Sequence, residues 1–534
     1  MATSIEQLTR KIKEQYKNST NFRNLCYLFA GLSTYPVLRI IYEKITRKIY
    51  GLPDGLYGIP WFGNAFQLQS QNPSWLMAVG SMGSALTVLN GQDRTILFND
   101  PIIANKVLSN KKLSDLAPLF IDDEERNFAS ANGKIWHERR RLFHNNFTLN
   151  LTTSFVERAT KDFFKKHIYS IIDDDIKNNE ATNVPNIFRP IAFNVVSLVC
   201  LGKELPSIKD KFYVDWTDKT TKVFERSGLG FFIQFLFKGP NLFSNALVKM
   251  VCGGSFQDLF EELVSYLEIF INDDSKYVDL TKYPNLRLFN DFINEYNGRK
   301  YTKKALIADM GVAFFGAMDT IWMTLTVILL QLAKNMKLQN EVYNEIRSVF
   351  GDNIDDISIT VKTLNKIPKL RAFLHEAMRV SGLARLNGQK QVTFNGLTMK
   401  DPATNKTYNI PKGTHTMTNV YYISRKPQFW VENYDENIHG NINMDDIHLE
   451  FWLDKDGNFS KKKNSASFFA FGKGKRSCPG ETLAMRVMPI ILVLTLLKYK
   501  VIHPDGLKKF DINLFRAGFS NQPYIQNIKF LKRN

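Results

Sequence analysis

One cysteine near the C-terminus stands in a setting that suits a metal-bound thiolate. The run Phe471-Gly472-Lys473-Gly474-Lys475-Arg476-Ser477-Cys478-Pro479-Gly480 sets Cys478 between two glycines, with Arg476 two residues before it and an aromatic ring seven before. Gly474 and Gly480 let the backbone approach the sulfur, so that N–H groups can aim at it. Hydrogen bonds and a dry apolar cover tune the basicity and potential of a metal-bound thiolate, and Phe471 supplies such a cover. Arg476 offers a planar fork to a carboxylate. The plainer reading of a lone cysteine is a small buried hydrophobe. A phosphate loop is excluded, because that motif ends in Gly-Lys-Ser/Thr. Here Gly472-Lys473 is followed by glycine and Gly474-Lys475 by arginine.

Three further clusters carry chemistry. Trp136 and Arg140, in Gly133-Lys134-Ile135-Trp136-His137-Glu138-Arg139-Arg140-Arg141, are four apart and share a helix face. An indole N–H and a guanidinium on one face can both bond a carboxylate; the alternative is a basic surface helix. Gly316-Ala317-Met318-Asp319-Thr320-Ile321 lies inside a long apolar run. Small residues there let a helix lie close over a flat cofactor. An acid beside an alcohol in such a run is costly without partners or work, and a helix kink is the plainer reading. In His375-Glu376-Ala377-Met378-Arg379, an acid and a base stand three apart. Such pairs are usually weak surface contacts, but Phe373, Leu374, Met378 and Val380 surround this one.

Taken in order, these clusters resemble the motifs of the cytochromes P-450, eukaryotic microsomal type, over about residues 51–534. Phe-x-x-Gly-x-Arg-x-Cys-x-Gly is that family's haem-ligand loop with each fixed position filled, and Ala484 suits the helix that follows it. Ile410-Pro411-Lys412-Gly413-Thr414 and Arg425-Lys426-Pro427 through Trp430 resemble two further family segments. The resemblance implies a mainly α fold with small β-sheets, haem b as cofactor and Cys478 as axial iron ligand. It also implies Trp136, Arg140 and Arg476 on the propionates and Phe471 over the thiolate. Asp319 and Thr320 would deliver protons, and Glu376 and Arg379 would hold the scaffold. The implied activity is a monooxygenase acting on a lipophilic substrate with electrons from NADPH through a flavoprotein reductase, and a cytochrome b-type donor as a further partner. Phe519, Asn521 and Gln522, in a C-terminal hairpin over Phe515–Tyr524, would touch substrate.

Departures from the pattern are specific. Ala317 and Ile321 replace a glycine and a second hydroxyl, Gly382-Leu383 replaces a Pro-Pro pair, and Gln389 or Lys390 stands where a propionate arginine is usual. The family completes its Glu-Arg pair with an arginine from a Pro-x-Arg-Phe/Trp segment. No arginine or lysine occurs between Trp430 and Lys455, so His439 or His448 takes the role, or the pair stands alone. Two rival readings stay in view: an isomerase, dehydratase or peroxide-using enzyme that needs no reductase, against which Thr320 beside Asp319 argues, and a non-catalytic haem sensor, which the missing arginine and Ile321 motivate.

The elements that position these residues follow from pattern. Leu86–Leu89 and Thr95–Phe98 read as a β-hairpin around a glycine-containing turn. Pro101 opens a helix. Lys303 to about Asn335 reads as one proline-free, mostly apolar helix, about 45 Å long at 1.5 Å per residue. Asp309 and Asp319 make it a core helix rather than a membrane span.

At the N-terminus, residues 1–24 are polar and basic, and residues 25–42 form an apolar stretch interrupted only by Arg39. With that arginine reaching toward the interface, the stretch is long enough for a membrane anchor. Residues 51–64 are rich in proline and glycine and make a stiff hinge, and 65–534 would be the catalytic domain. The implied location is the endoplasmic reticulum membrane, with that domain facing the cytosol. A net charge of +18 on 534 residues comes with no nucleic-acid-binding module, so a membrane surface and an acidic partner are the expected counterparts. Lys461, Lys462, Lys463, Lys473, Lys475 and Arg476 would form the docking face. Four cysteines without paired spacing argue for a reducing compartment.

Overall fold

The computed structural model describes residues 20–59, 62–90, 93–110, 113–115, 128–129, 131, 133–149, 155–201, 203–205, 207–221, 303–352, 354, 357–392, 396–461, 464–503, 515–516, 522–523 and 526–533, with short pieces between 246 and 268. Helices dominate, and the strands gather into small sheets.

The first helix, α1 (Thr20–Tyr50), leads to the short strand β1 (Gly55–Leu56). Val37, Leu38, Ile41, Tyr42, Ile45 and Ile49 of α1 are exposed. Glu43 is instead buried, pairing with Arg39 at 2.7 Å and with Arg94 Nε at 2.7 Å. The expected hairpin is β2 (Ala85–Asn90) and β3 (Asp93–Phe98), antiparallel with Ala85 opposite Phe98. Helix α2 (Pro101–Leu108) follows, with Pro101 in its first turn and the Asp100 carboxylate accepting from the N–H groups of Ile102 and Ile103 at 2.8 and 3.0 Å. Strand β4 (Leu113–Asp115) is the far edge of the main sheet, which also draws β5 (Leu386–Val392) and β6 (His415–Asn419) from far along the chain. The strand order is β1-β2-β3-β6-β5-β4, and β6 runs parallel to β3, with Thr95 opposite His415.

The helical body forms because its helices are apolar on more than one face. Helix α3 (Gly133–Leu149) carries the Trp136 cluster. Helix α4 (Val184–Leu201) and helix α5 (Lys303–Lys334) pack together at the centre. Both are long and apolar enough to cross a membrane, yet 89% and 72% of their apolar windows are buried within the protein, as expected of core helices. Phe188 and Phe193 of α4 and Trp322 and Ile328 of α5 belong to one large core. It also takes in α6 (Pro368–Ser381), started by Pro368, and α7 (Glu481–Lys498), which follows the cysteine loop.

Candidate active site

The cysteine loop is shaped by two glycines in left-handed conformations, Gly472 (φ +67°) and Gly474 (φ +71°). A Cβ on Gly474 would lie 2.3 Å from the Leu108 carbonyl oxygen at the end of α2, so the loop seats against that helix only without a side chain. The Cys478 N–H donates to the Phe471 carbonyl at 2.7 Å and closes the turn. Helix α7 begins three residues later, and the N–H groups of Gly480 and Glu481 hydrogen-bond the sulfur. The sulfur is accessible from an internal cavity but otherwise ringed by protein. Burial raises the thiol above its usual range, while those N–H groups and the nearby Arg140 charge pull it down.

The cavity has a volume of about 300 Å³. Phe468, Phe469, Ala470, Phe471, Cys478, Ala484 and Met488 line it on the cysteine side, and Gly316, Thr320, Ile321, Met323 and Thr324 on the α5 side. Gly316 presents open space, since an added Cβ would meet nothing within 4 Å. The Thr320 hydroxyl donates to the Gly316 carbonyl at 2.6 Å. Asp319 does not line the cavity. Its Oδ1 accepts from Arg189 of α4, Nε at 3.0 Å and Nη2 at 2.9 Å, and from Trp322 Nε1 at 2.6 Å. Burial pushes its carboxyl up despite these donors.

Trp136, Arg140 and Arg476 come together beside the loop. The Arg476 guanidinium stacks on the Trp136 ring and donates to the carbonyls of Phe128 and Ala131, at 3.3 and 2.6 Å. The Trp136 indole N–H is buried and, among the described residues, has no hydrogen-bond partner. An orphaned buried donor of this kind is costly unless a ligand accepts from it. Arg140 Nη2 donates to the Ser477 carbonyl at 2.5 Å, one residue before the cysteine. A soft sulfur ligand, an open glycine face across the cavity, and an unmet N–H flanked by guanidinium groups suit a flat, metal-bearing, anionic ring. The residues present fit haem b.

Behind the loop, Glu376 and Arg379 form a fully buried pair, Nη2 to Oε1 at 2.6 Å and Nε to Oε2 at 2.9 Å. Arg379 also donates to the carbonyls of Ser424, Met444 and Asp446. Of the alternatives, a histidine side chain joining the pair is not found among the described residues. His439 is exposed and bonds Asp435, and the His448 ring bonds Glu450 and Asn443; His448 reaches Glu376 only through its backbone N–H, at 2.9 Å. A further side-chain donor to Glu376, beside Arg379, is the Trp452 indole, at 2.8 Å.

Sequence reasoning missed Trp452, Arg189 and the fully buried Arg139–Asp309 pair, 3.6 Å apart. For Trp452 the signal was an indole in the stretch that lacks arginine and lysine. For Arg189 there was none, since its partner lies 130 residues away. Phe519 and Asn521 lie outside the described residues, as do Lys462 and Lys463. Gln522 pairs with Arg516 across the two short strands Phe515–Arg516 and Gln522–Pro523. Lys461 forms an ion pair with Glu481, and Lys473 Nζ donates to the Ser465 carbonyl at 2.6 Å.

A mainly helical body with small sheets, built around a cysteine loop that opens on a cavity under a long central helix, defines the haem-thiolate class of proteins. The family model described as Cytochrome P450 matches residues 53–530, and the chain belongs to that family. It is 23% identical to cytochrome P450 71B22 of Arabidopsis thaliana over 499 residues, covering 90% of this chain and 94% of the relative. It is 20% identical to trans-cinnamate 4-monooxygenase of Oryza sativa subsp. japonica over 507 residues, covering 92% and 95%. With cytochrome P450 2A13 of Homo sapiens the identity is 25% over 533 residues, covering 94% and 97%.

Proposed function

We propose that this protein is a membrane-anchored haem-thiolate monooxygenase that inserts one atom of dioxygen into a lipophilic substrate. The observation that carries the reading is that Cys478 and Thr320 line one mostly apolar cavity. The name of the Oryza relative, a monooxygenase, supports the reaction class. Haem b held by a thiolate supplies the activation of dioxygen.

The chain's own residues do the rest. Cys478 holds the metal, with the N–H groups of Gly480 and Glu481 moderating its charge. Trp136, Arg476 and Arg140 receive the carboxylates, the first through its orphaned N–H. Phe471 and the adjoining phenylalanines keep water from the sulfur. Thr320 holds a proton at the cavity wall, and Asp319, the next residue in, passes protons to it from the side of Arg189. Glu376 and Arg379 fix the backbone that carries the loop.

Electrons come from NADPH through a flavoprotein reductase that docks on the basic face near Lys473 and Lys475. Residues 25–42 anchor the domain to the endoplasmic reticulum membrane, a reading supported by the exposed apolar row on α1.

The test is the absorption spectrum of the reduced protein with carbon monoxide, for wild type and Cys478→Ala. A strongly red-shifted band that the substitution abolishes is expected. Properly folded wild type without haem would overturn the proposal, and reductase-dependent NADPH consumption separates a monooxygenase from an isomerase.

A further inference from the structure

We propose that Trp452 is the residue through which the buried Glu376–Arg379 pair positions the cysteine loop. The indole is fully buried and works in two directions. Its N–H donates to Glu376 Oε2 at 2.8 Å, the oxygen that also accepts Arg379 Nε at 2.9 Å. Its ring meets Phe468 edge-on, with centroids 5.0 Å apart, and Phe468 lines the cavity with Cys478. The Trp452 carbonyl accepts the Ser460 N–H at 2.8 Å, and the neighbouring Phe451 carbonyl accepts from the Asn464 amide at 2.5 Å. One rigid side chain and its own peptide units therefore join the Glu376 carboxylate to the segment that enters the loop.

Charge explains why a neutral indole suits this position. Glu376 and Arg379 already balance each other, and the remaining guanidinium N–H groups meet backbone carbonyls. A third charged group would leave a net positive charge in a fully buried cluster, which costs heavily. An indole N–H fills the carboxylate's remaining acceptor site without adding charge. His375, whose ring lies 5.1 Å from that of Trp452, is held neutral by burial and adds no charge either.

The effect on haem retention rests on the haem-thiolate reading above; the coupling of Trp452 to the loop does not. The test uses the full-length protein as purified, with Trp452 replaced by benzothienylalanine, which keeps the shape of the indole but cannot donate, and separately with Trp452→Leu. Amide exchange over residues 444–448 and 467–478 is expected to rise about tenfold for the benzothienyl protein, the usual effect of losing one hydrogen bond to a charged group, and further for the leucine variant. Haem transfer to an acceptor protein is expected to quicken about equally. If the benzothienyl protein matches wild type while Trp452→Leu does not, the indole acts only by packing and the proposal is wrong. In wild type alone, a Trp452 indole proton that exchanges freely with solvent would also overturn it. An exchange response as expected, in protein lacking the red-shifted carbon monoxide band, would sink the haem-thiolate reading and leave the coupling intact.

Discussion

The guanidinium of Arg476 lies over the indole of Trp136, 3.8 Å from the ring centre. Helix and loop, remote in sequence, thereby set a guanidinium against an indole whose N–H has no partner among the described residues. Trp136→Phe keeps the stacking surface and removes only the N–H. Its haem affinity is expected to fall about tenfold. Arg476→Lys loses both stack and fork, and on the order of a hundredfold is expected. Haem transfer to an acceptor protein measures both, and equal affinities for wild type and Trp136→Phe would remove the indole from the site.

Gly474 and Gly316 predict opposite responses to the same methyl group. Gly474→Ala meets the Leu108 carbonyl and a φ of +71°, so the melting temperature and haem content should both fall. The backbone strain alone is worth roughly 1–3 kcal/mol. Gly316→Ala meets nothing within 4 Å and gains up to about 1 kcal/mol of helix propensity. The fold should be as stable as wild type or more so, while the cavity narrows and ligand binding weakens. Thermal melts beside haem content decide both.

Thr320 and Asp319 are adjacent in sequence but differ in surroundings. Thr320→Val leaves no buried charge unpaired, so stability should hold while turnover falls about a hundredfold, the low end for lost proton transfer. Asp319→Asn leaves Arg189 without its buried counter-charge and should cost about 3–5 kcal/mol of stability. Denaturant melts run beside substrate turnover separate the two effects. A fully stable Asp319→Asn protein would contradict the buried pairing.

His375 makes stability fall in acid. Burial lowers its pKa to about 4, so the folded chain keeps the ring neutral while the unfolded chain binds a proton below the ordinary value of about 6.5. Between those two pH values the unfolded state holds more protons, and stability drops as pH falls, by up to about 3 kcal/mol. His375→Phe retains aromatic packing against Phe459 and Phe468 and should flatten that slope between pH 6.5 and 4. Urea midpoints across the window give the answer; parallel slopes in both proteins would refute it.

Glu43 ties α1 to the main sheet. Glu43→Ala removes the buried carboxylate that pairs with Arg94 and Arg39 and is expected to remove about 1–3 kcal/mol of local protection around residues 43–56. The melting temperature of the rest of the protein should barely change. Amide exchange reads this directly. Unchanged protection would mean that the proline- and glycine-rich connector alone holds the helix in place.

Local chemistry was readable from the residues themselves. The Phe-x-x-Gly-x-Arg-x-Cys-x-Gly spacing, the Pro101 helix start, the hairpin and the long apolar helix each depend on neighbours within a few positions, where backbone preference and periodicity act. The cysteine loop and the family followed from those features. Only the tertiary structure decided what the charged groups meet. Trp452 rather than a histidine completes Glu376, Arg189 turns Asp319 aside from the cavity, and Arg139 meets Asp309 in the core. Each partner lies far along the chain, and a buried charge is stabilised by whichever donor the packing brings within about 3 Å. Sequence spacing carries no record of that distance.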